Sequence, residues 1–503
     1  MMKKLAVTTA IIAGLLAVSF SASAQYVEDS ETVKAILEEA DSAQEPVVIT
    51  LEEALMIGLS ENVSVKVADM EIERTGFAKK GTYAALFPQI DASGSFQRTI
   101  KKQVMYMDFD MGSLGGGAMG GGSAEGDGTQ LPEGADTPAT AAAKDEAGSS
   151  NGGGFEVGRW NNWSAGVSAA MPLVNAQLWQ SLKLSGLDVE LAVEKARSSR
   201  LDMVTQVKNA YYSALMAKEA FDVYKQVYEN AMQNLAETQK KYDAQKASDM
   251  DLLRAKTTVA NAIPNVYNAE SSVILALWQL KAVLGVDLDM NLDVSGKLAD
   301  HADQMMRDVN EGSDVPLDHN TTMKQLAIQA EMLAESIKVQ KFANIPSLSV
   351  AFNFSINAMT NDFKFSQYRW TPYSFVALSL NIPIFAGGKR YQQIRQAKNQ
   401  YEQVQLQVTN TERQLQIAIR QSLATMETNM KSYYAAQDAV AAAQKGYDIT
   451  EVSYKVGRST LIELNDAQLA LTQSRLAESQ ATFNFLTAKA QLEQTLGQDF
   501  IAE

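Results

Sequence analysis

The sequence predicts a mainly helical, internally duplicated chain with four transmembrane β-strands, so that each chain gives only part of a barrel. Three observations predict this class. The chain repeats itself: Tyr242–Gly285 lies over Tyr454–Gly497 at one constant offset without a gap, setting Leu252 on Leu464, Ala255 on Ala467 and Leu280 on Leu492. Asn62–Pro88 matches Asn320–Pro346 in the same way, and Met171-Pro172-Leu173 matches Ile382-Pro383-Ile384. Four short segments carry the period of a strand, and long helical runs fill most of the remainder. Two copies are too few for a self-supporting repeat stack, so the missing neighbours must come from other subunits.

In chain order, residues 1–24 read as a secretory signal peptide. Lys3 and Lys4 make a basic start, Leu5 to Phe20 an apolar run, and Ala22-Ser23-Ala24 a small-residue cleavage site. The apolar run is short for a membrane span, which takes about 20 residues. The full chain has a net charge of −15, and losing two lysines makes the mature form more acidic. That balance argues against nucleic-acid binding, which wants a basic footprint. There is no cysteine, so a lipidated cysteine anchor, a disulfide framework and thiolate metal sites are excluded. The two histidines, His301 and His319, lie in a polar connecting stretch and read as solvated loop residues. With no nucleophile–base constellation and no phosphate-cradling glycine loop, neither catalysis nor a cofactor or metal is expected. Methionines are scattered singly along helical faces and read as core filler. Beyond the signal peptide no apolar stretch is long enough for a transmembrane helix. An exported chain of this kind that crosses a membrane does so as a β-barrel.

The four strand segments alternate with period two. In Ile90–Gln97 the set Ile90, Ala92, Gly94, Phe96 faces away from Asp91, Ser93, Ser95, Gln97. Trp163–Leu173 sets Trp163, Ala165, Val167, Ala169 and Met171 against Ser164, Gly166 and Ser168. Leu348–Ala358 sets Val350, Phe352, Phe354 and Ile356 against Ser349, Asn353, Ser355 and Asn357, and Ser374–Ile384 sets Val376, Leu378, Leu380 and Ile382 against Ala377, Ser379 and Asn381. Taken singly, each could be a sandwich strand. Alternation over about ten residues also fits strands between lipid and a watery lumen. Trp160, Trp163, Tyr368, Trp370, Tyr373 and Phe375 near the ends fit interfacial girdles.

Each strand pair flanks a loop. The first, residues 106–157, is glycine-dense, with 14 of the chain's 30 glycines between Gly112 and Gly154. That composition cannot bury a core, so a mobile, dispensable external loop is expected. The second loop, around Thr360–Tyr368, is short. Four strands cannot close a barrel, since known ones start at about eight. Sequence alone allows two, three or four chains to share one.

The remainder reads as helix. Asn175 to Ala244 and Gly388 to Lys455 are long periodic runs, with returning helices at Asp249–Leu284 and Leu461–Leu496. A run of about 65 residues reaches about 100 Å at 1.5 Å per residue, which suggests a tube projecting from the membrane. Ala435, Ala436, Ala439, Ala442 and Ala443 allow close helix approach. Pro264 is expected to kink the first returning helix. The acidic stretch Val286–Pro316 reads as a less regular girdle or linker. The first repeat is bounded at 25–299 and the second at 300–503.

With these elements placed, a family resemblance emerges over essentially the whole mature length. Ile49-Thr50-Leu51-Glu52-Glu53-Ala54-Leu55 resembles the start motif of the TolC family of outer-membrane efflux channels, and Phe87-Pro88 and Ile345-Pro346 resemble its strand entries. Tyr454-Lys455-Val456-Gly457-Arg458-Ser459-Thr460, followed by Leu464 and Asp466-Ala467-Gln468, resembles its helix-turn signature. The resemblance implies a homotrimer in which four strands per protomer build a shared twelve-strand barrel, continued by a periplasmic α-helical barrel. It implies a passive exit duct of a tripartite efflux or secretion system in the outer membrane. A periplasmic membrane-fusion adaptor would open it and couple it to an inner-membrane pump of RND, ABC or MFS type.

The resemblance also implies site residues. Tyr454 matches a gating tyrosine, Glu463 and Asp466 an acidic constriction ring, and Asp251 a carboxylate of repeat one. Spaced i, i+3, Glu463 and Asp466 share a helix face. An arginine that links neighbouring helices in the family falls on Ser459, with Arg458 next door, and Gln245 stands where the first turn should have glycine. Val456, Gly457 and Ser459 in one turn, with Ala247 and Ser248 in the other, are the expected adaptor contact. The alternative of another class is a trimeric adhesin or structural stalk of the outer membrane. It predicts one anchor near a terminus, whereas here strands sit in the middle of both repeats.

Overall fold

A computed structural model describes residues 46–105, 155–301 and 317–498. The predicted signal segment and almost all of the predicted glycine-dense loop lie outside the described residues. In chain order the elements are β1 (Val47–Ile49), α1 (Leu51–Glu61), α2 (Val63–Ala84), β2 (Gln89–Arg98), β3 (Gln103–Met105), β4 (Phe155–Val157) and β5 (Asn161–Val174). They continue with α3 (Ala176–Asp243), α4 (Asp249–Leu284), β6 (Leu292–Val294), α5 (Thr321–Phe342), β7 (Ser347–Thr360), β8 (Thr371–Asn381), α6 (Lys389–Lys455) and α7 (Leu461–Leu496). The chain divides into a strand unit, drawn from Ala85–Val174 and Ser347–Asn381, and a helical unit that holds the rest. Both sequence repeats contribute to each unit.

In the strand unit, an antiparallel sheet has the order β2-β5-β7-β8. Its register aligns the apolar sets of all four strands on one face: Ile90 pairs with Ala169, Ala169 with Phe352, and Phe352 with Val376. The opposite face is polar, and Ser95 and Ser164 hydroxyls meet at 2.7 Å across the β2–β5 pair. Pro172, which has no N–H to give the ladder, sits at a register shift in β5.

The structure corrects four details of this region. The last strand is Thr371–Asn381, so Ile382–Ile384 are not in it; Pro383, which has no N–H to give, follows its end. Tyr373 and Phe375 pair with Ser355 and Asn353, on the polar face, and so do not join the girdle. The stretch predicted as a loop from 106 to 157 ends in strand β4, which pairs with β3 beyond the main sheet. The predicted linker after Val286 holds β6, which pairs in parallel with β1; three-residue strands are too short to show a period.

In the helical unit, two long hairpins, α3–α4 and α6–α7, reproduce the predicted runs. Asn175 caps α3 by accepting from Leu178 N–H, and Gly388 precedes α6 at φ 81°. α4 runs unbroken through Pro264. The main core is built from Ile49, Leu55, Tyr211, Leu215, Leu280, Met426 and Phe485, and both repeats contribute to it. The Tyr211 hydroxyl lies 3.1 Å from the carbonyl oxygen of Ile49 and 2.7 Å from that of Ser295, tying the β1–β6 ends to α3.

The duplication extends to single hydrogen bonds. Asn62 donates its amide to the carbonyl of Val283 at 2.7 Å, and its counterpart Asn320 donates to Thr495 at 2.5 Å. Gly285 and Gly497 end the returning helices at φ 79° and 70°, where glycine alone is unstrained. A Cβ on Gly285 would come within 3.0 Å of the Glu61 carbonyl oxygen.

Candidate functional site

The two hairpin turns share one geometry. In the first, Gln245 N–H donates to Tyr242 at 2.8 Å and Lys246 N–H to Lys241 at 2.7 Å. In the second, Gly457 N–H donates to Tyr454 at 3.1 Å and Arg458 N–H to Ser453 at 2.8 Å. These nested bonds satisfy the last carbonyls of α3 and α6 and need a left-handed residue at the turn. Gly457 takes it at φ 77° and Gln245 at φ 61°, the one non-glycine residue with positive φ among those described.

Each returning helix then starts with a reciprocal capping box. Ser248 Oγ accepts from Asp251 N–H at 3.2 Å while the Asp251 carboxylate accepts from Ser248 N–H at 3.3 Å. Thr460 Oγ1 accepts from Glu463 N–H at 3.3 Å while the Glu463 carboxylate accepts from Thr460 N–H at 2.8 Å. Asp251 and Glu463 are therefore equivalent residues, each closing the first turn of its helix. The backbone and side-chain hydrogen bonds of Thr460 hold the Glu463 carboxyl below its ordinary value. Asp466, one turn on, is exposed beside it.

Above the turns the hairpins are tied together. Tyr454 is buried among Tyr447, Leu461, Leu464, Leu471 and Ala255. Its hydroxyl meets Thr238 Oγ1 at 2.6 Å. Thr238 spends its own proton on the Asn234 carbonyl at 2.7 Å, so Tyr454 is the donor. Lys241 lies 3.9 Å from the centre of the Tyr454 ring and donates to the Tyr454 carbonyl at 2.6 Å. Other bonds cross between the hairpins nearby: Asn230 donates to Gln468 at 2.9 Å, and Asn465 to Thr258 at 3.3 Å. Burial, then the charges of Glu451 and Asp448, pushes the nearby Tyr447 hydroxyl up to about 12.

The predicted residues thus separate into three groups. Tyr454 is inside the tie. Glu463 and Asp251 are in caps, with Ser248 and with Ser459, whose hydroxyl also bonds Glu463. Val456 at 66 % exposure, Gly457 and Arg458 are on the surface of the second turn, and Ala247 is half-buried in the first. Lys241 and Thr238 were not foreseen, because which residues of α3 face Tyr454 depends on how the hairpins pack. The caps carried a legible signal: Ser248-x-x-Asp251 and Thr460-x-x-Glu463.

The sequence model of the family described as outer membrane efflux protein matches residues 138–286 and 314–498. The chain belongs to this family. Among relatives of this outer membrane efflux protein, TolC of Escherichia coli is 20% identical over 356 residues, covering 68% of this chain and 71% of TolC. The proteases secretion protein PrtF of Dickeya chrysanthemi is 21% identical over 349 residues, covering 67% and 73% of the two chains. The crystal structure of the CmeC outer membrane channel of Campylobacter jejuni has the same fold, with a TM-score of 0.62 at 15% identity over 91% of both chains. The chain is therefore an outer-membrane efflux or secretion duct of TolC-like fold, with a periplasmic helical part. Strands in the middle of both repeats, which argued against an adhesin stalk, belong to this fold.

Proposed function

We propose that three copies of this chain close one barrel and form the passive exit duct of a tripartite efflux or secretion system. The duct is shut at the helix turns and opens when a periplasmic membrane-fusion adaptor docks there, coupling it to an inner-membrane pump of RND, ABC or MFS type. The observation that carries this reading is the four-stranded sheet whose outer strands, β2 and β8, each have one edge without a partner strand among the described residues. Unpaired backbone groups in hydrocarbon cost several kcal/mol each, so those edges must meet another copy. All three pairings within the sheet are antiparallel. With an even number of strands, β8 of one copy then meets β2 of the next in the same sense, and a whole number of copies closes. The family resemblance supports three.

In this reading Tyr454, with Lys241 and Thr238, holds the two hairpins of a chain together in the shut duct. Glu463 and Asp466, repeated by threefold symmetry, form an acidic ring, with Asp251 and Arg458 beside it. Val456, Gly457 and Ser459, with Ala247 and Ser248, meet the adaptor. The sequence halves 25–299 and 300–503 are the repeated units that build the duct. No covalent step is needed. PrtF is by name a secretion protein for proteases, and the cognate pump sets which cargo enters this duct.

Conductance tests the gate. In planar bilayers the purified protein should conduct weakly, and the double change Tyr454→Phe with Lys241→Ala should raise conductance severalfold. Unchanged conductance in an intact, inserted protein would refute the gate.

A further inference from the structure

We propose that the loop end of the strand unit binds the phosphate groups of outer-leaflet lipid headgroups, through a rim of cations set around an aromatic belt. This needs only outer-membrane placement and is independent of gate and adaptor. The chain is acidic overall, at −15, yet the described segments at this end are basic. In the described segments 98–105, 155–161 and 359–371 stand Arg98, Lys101, Lys102, Arg159, Lys364 and Arg369, against Glu156 and Asp362.

The belt lies at the end of the apolar face. Phe96 and Trp163, paired across β2 and β5, have ring centres 4.2 Å apart. The loop between β7 and β8 packs on them: Phe363 is 6.2 Å from Phe96, and Phe365 is 5.3 Å from Trp163, 5.1 Å from Tyr368 and 5.8 Å from Trp370. Aromatic side chains of this kind mark the boundary between hydrocarbon and headgroups.

The cations stand at and just past that boundary. Arg98 occupies the next row of the same face, paired with Asn161, which pairs with Thr360. Its guanidinium is 5.5 Å from the Phe363 ring, and Lys102 is 4.8 Å from the Trp160 ring. Arg159 gives one N–H to the Met359 carbonyl at 3.1 Å, leaving others of its five to donate. The Lys102–Glu156 pair is long, at 3.8 Å. Lys101, Lys364 and Arg369 are exposed. A guanidinium matches two phosphate oxygens at once, and an ammonium serves as a point charge.

Lipid, rather than free phosphate, is the occupant because the apolar face continues from the rim. Phe354, Phe352, Val376 and Leu378 are exposed there at 40 %, 43 %, 71 % and 66 %. Acyl chains lying on that face bring their own headgroups to the cations.

The test uses the intact protein in detergent, with bisphosphorylated lipid A, its dephosphorylated form and inorganic phosphate as probes, read by native mass spectrometry. Bisphosphorylated lipid A should bind at least tenfold more tightly than the dephosphorylated lipid, and inorganic phosphate should not displace it. The triple change Lys101→Gln, Lys364→Gln, Arg369→Gln should cut that preference severalfold, while Lys431→Gln on the exposed face of α6 should not. Arg98→Gln is a second variant at the belt itself. Equal binding of both lipids, or full preference in the triple variant, overturns the proposal. Displacement by inorganic phosphate would mean an anion site and also overturns it.

Discussion

Tyr242 and Tyr454 stand at the same position of the two repeats and have opposite surroundings. Tyr454 is 7 % exposed and donates to Thr238, whereas Tyr242 is 36 % exposed. The hydrogen bond and charge of Asp249 raise the Tyr242 hydroxyl above its ordinary value. Only one of the pair ties two hairpins. Removing the Tyr454 hydroxyl should cost about 1 kcal/mol per chain, the usual net worth of such a bond, and should loosen the turns. Tyr454→Phe should therefore raise single-channel conductance, while Tyr242→Phe should leave it unchanged.

The turn residues should differ in stability. Gln245 in the left-handed region costs about 1 kcal/mol that glycine avoids, so Gln245→Gly should stabilise the protein by up to that amount. Gly457→Ala should cost about 1 kcal/mol, for backbone strain alone, since nothing lies within 4 Å of a Cβ there. Gly285→Ala should cost more, about 2–3 kcal/mol, because it adds the approach to Glu61 to the same strain. Thermal unfolding of the three variants checks the order.

The long helices were legible almost to the residue because their ends carry chemistry: Asn175 caps one, and Gly388, Gly285 and Gly497 border the others. The strands were legible because one face is apolar throughout. The fourth was read too far because alternation runs on through Leu380, Ile382 and Ile384 although pairing stops at Asn381. Pairs such as Val47–Ile49 with Leu292–Val294 are set by distant chain packing and leave no period. In the site, Glu463 was read for its charge alone, although Thr460 three residues earlier marked it as a cap. Lys241 was illegible because its partner is on another hairpin.

Because Glu463 closes a capping box, the proposed acidic ring has to be tested without breaking the cap. Glutamine can still close a capping box, so Glu463→Gln with Asp466→Asn should remove charge and keep the fold. A ring of carboxylates sets the sign of what passes a pore. The double variant should lose most of its cation preference, measured as reversal potential in asymmetric salt. An unchanged reversal potential would leave both as surface residues.

The cap itself should be pH-sensitive. The Glu463 carboxyl is held below its ordinary value in the folded chain. Its contribution is therefore present above the unfolded value of about 4.3 and is lost as pH falls through the lower folded value. The wild type should lose stability relative to Glu463→Gln only in that acid window, as thermal unfolding between neutral and acid pH would show.

Docking at the turns is best probed at Val456. It is exposed at 66 % with φ −88°, so a large side chain enters without backbone strain. Val456→Trp should abolish efflux by blocking the adaptor while expression and assembly persist. Undiminished efflux would place the adaptor elsewhere.

Each chain is proposed to supply a fraction of one shared barrel. Light scattering of the purified protein in detergent, corrected for bound detergent, measures it most directly. Three chains per particle are expected. A monomer or dimer that still conducts in bilayers would contradict it.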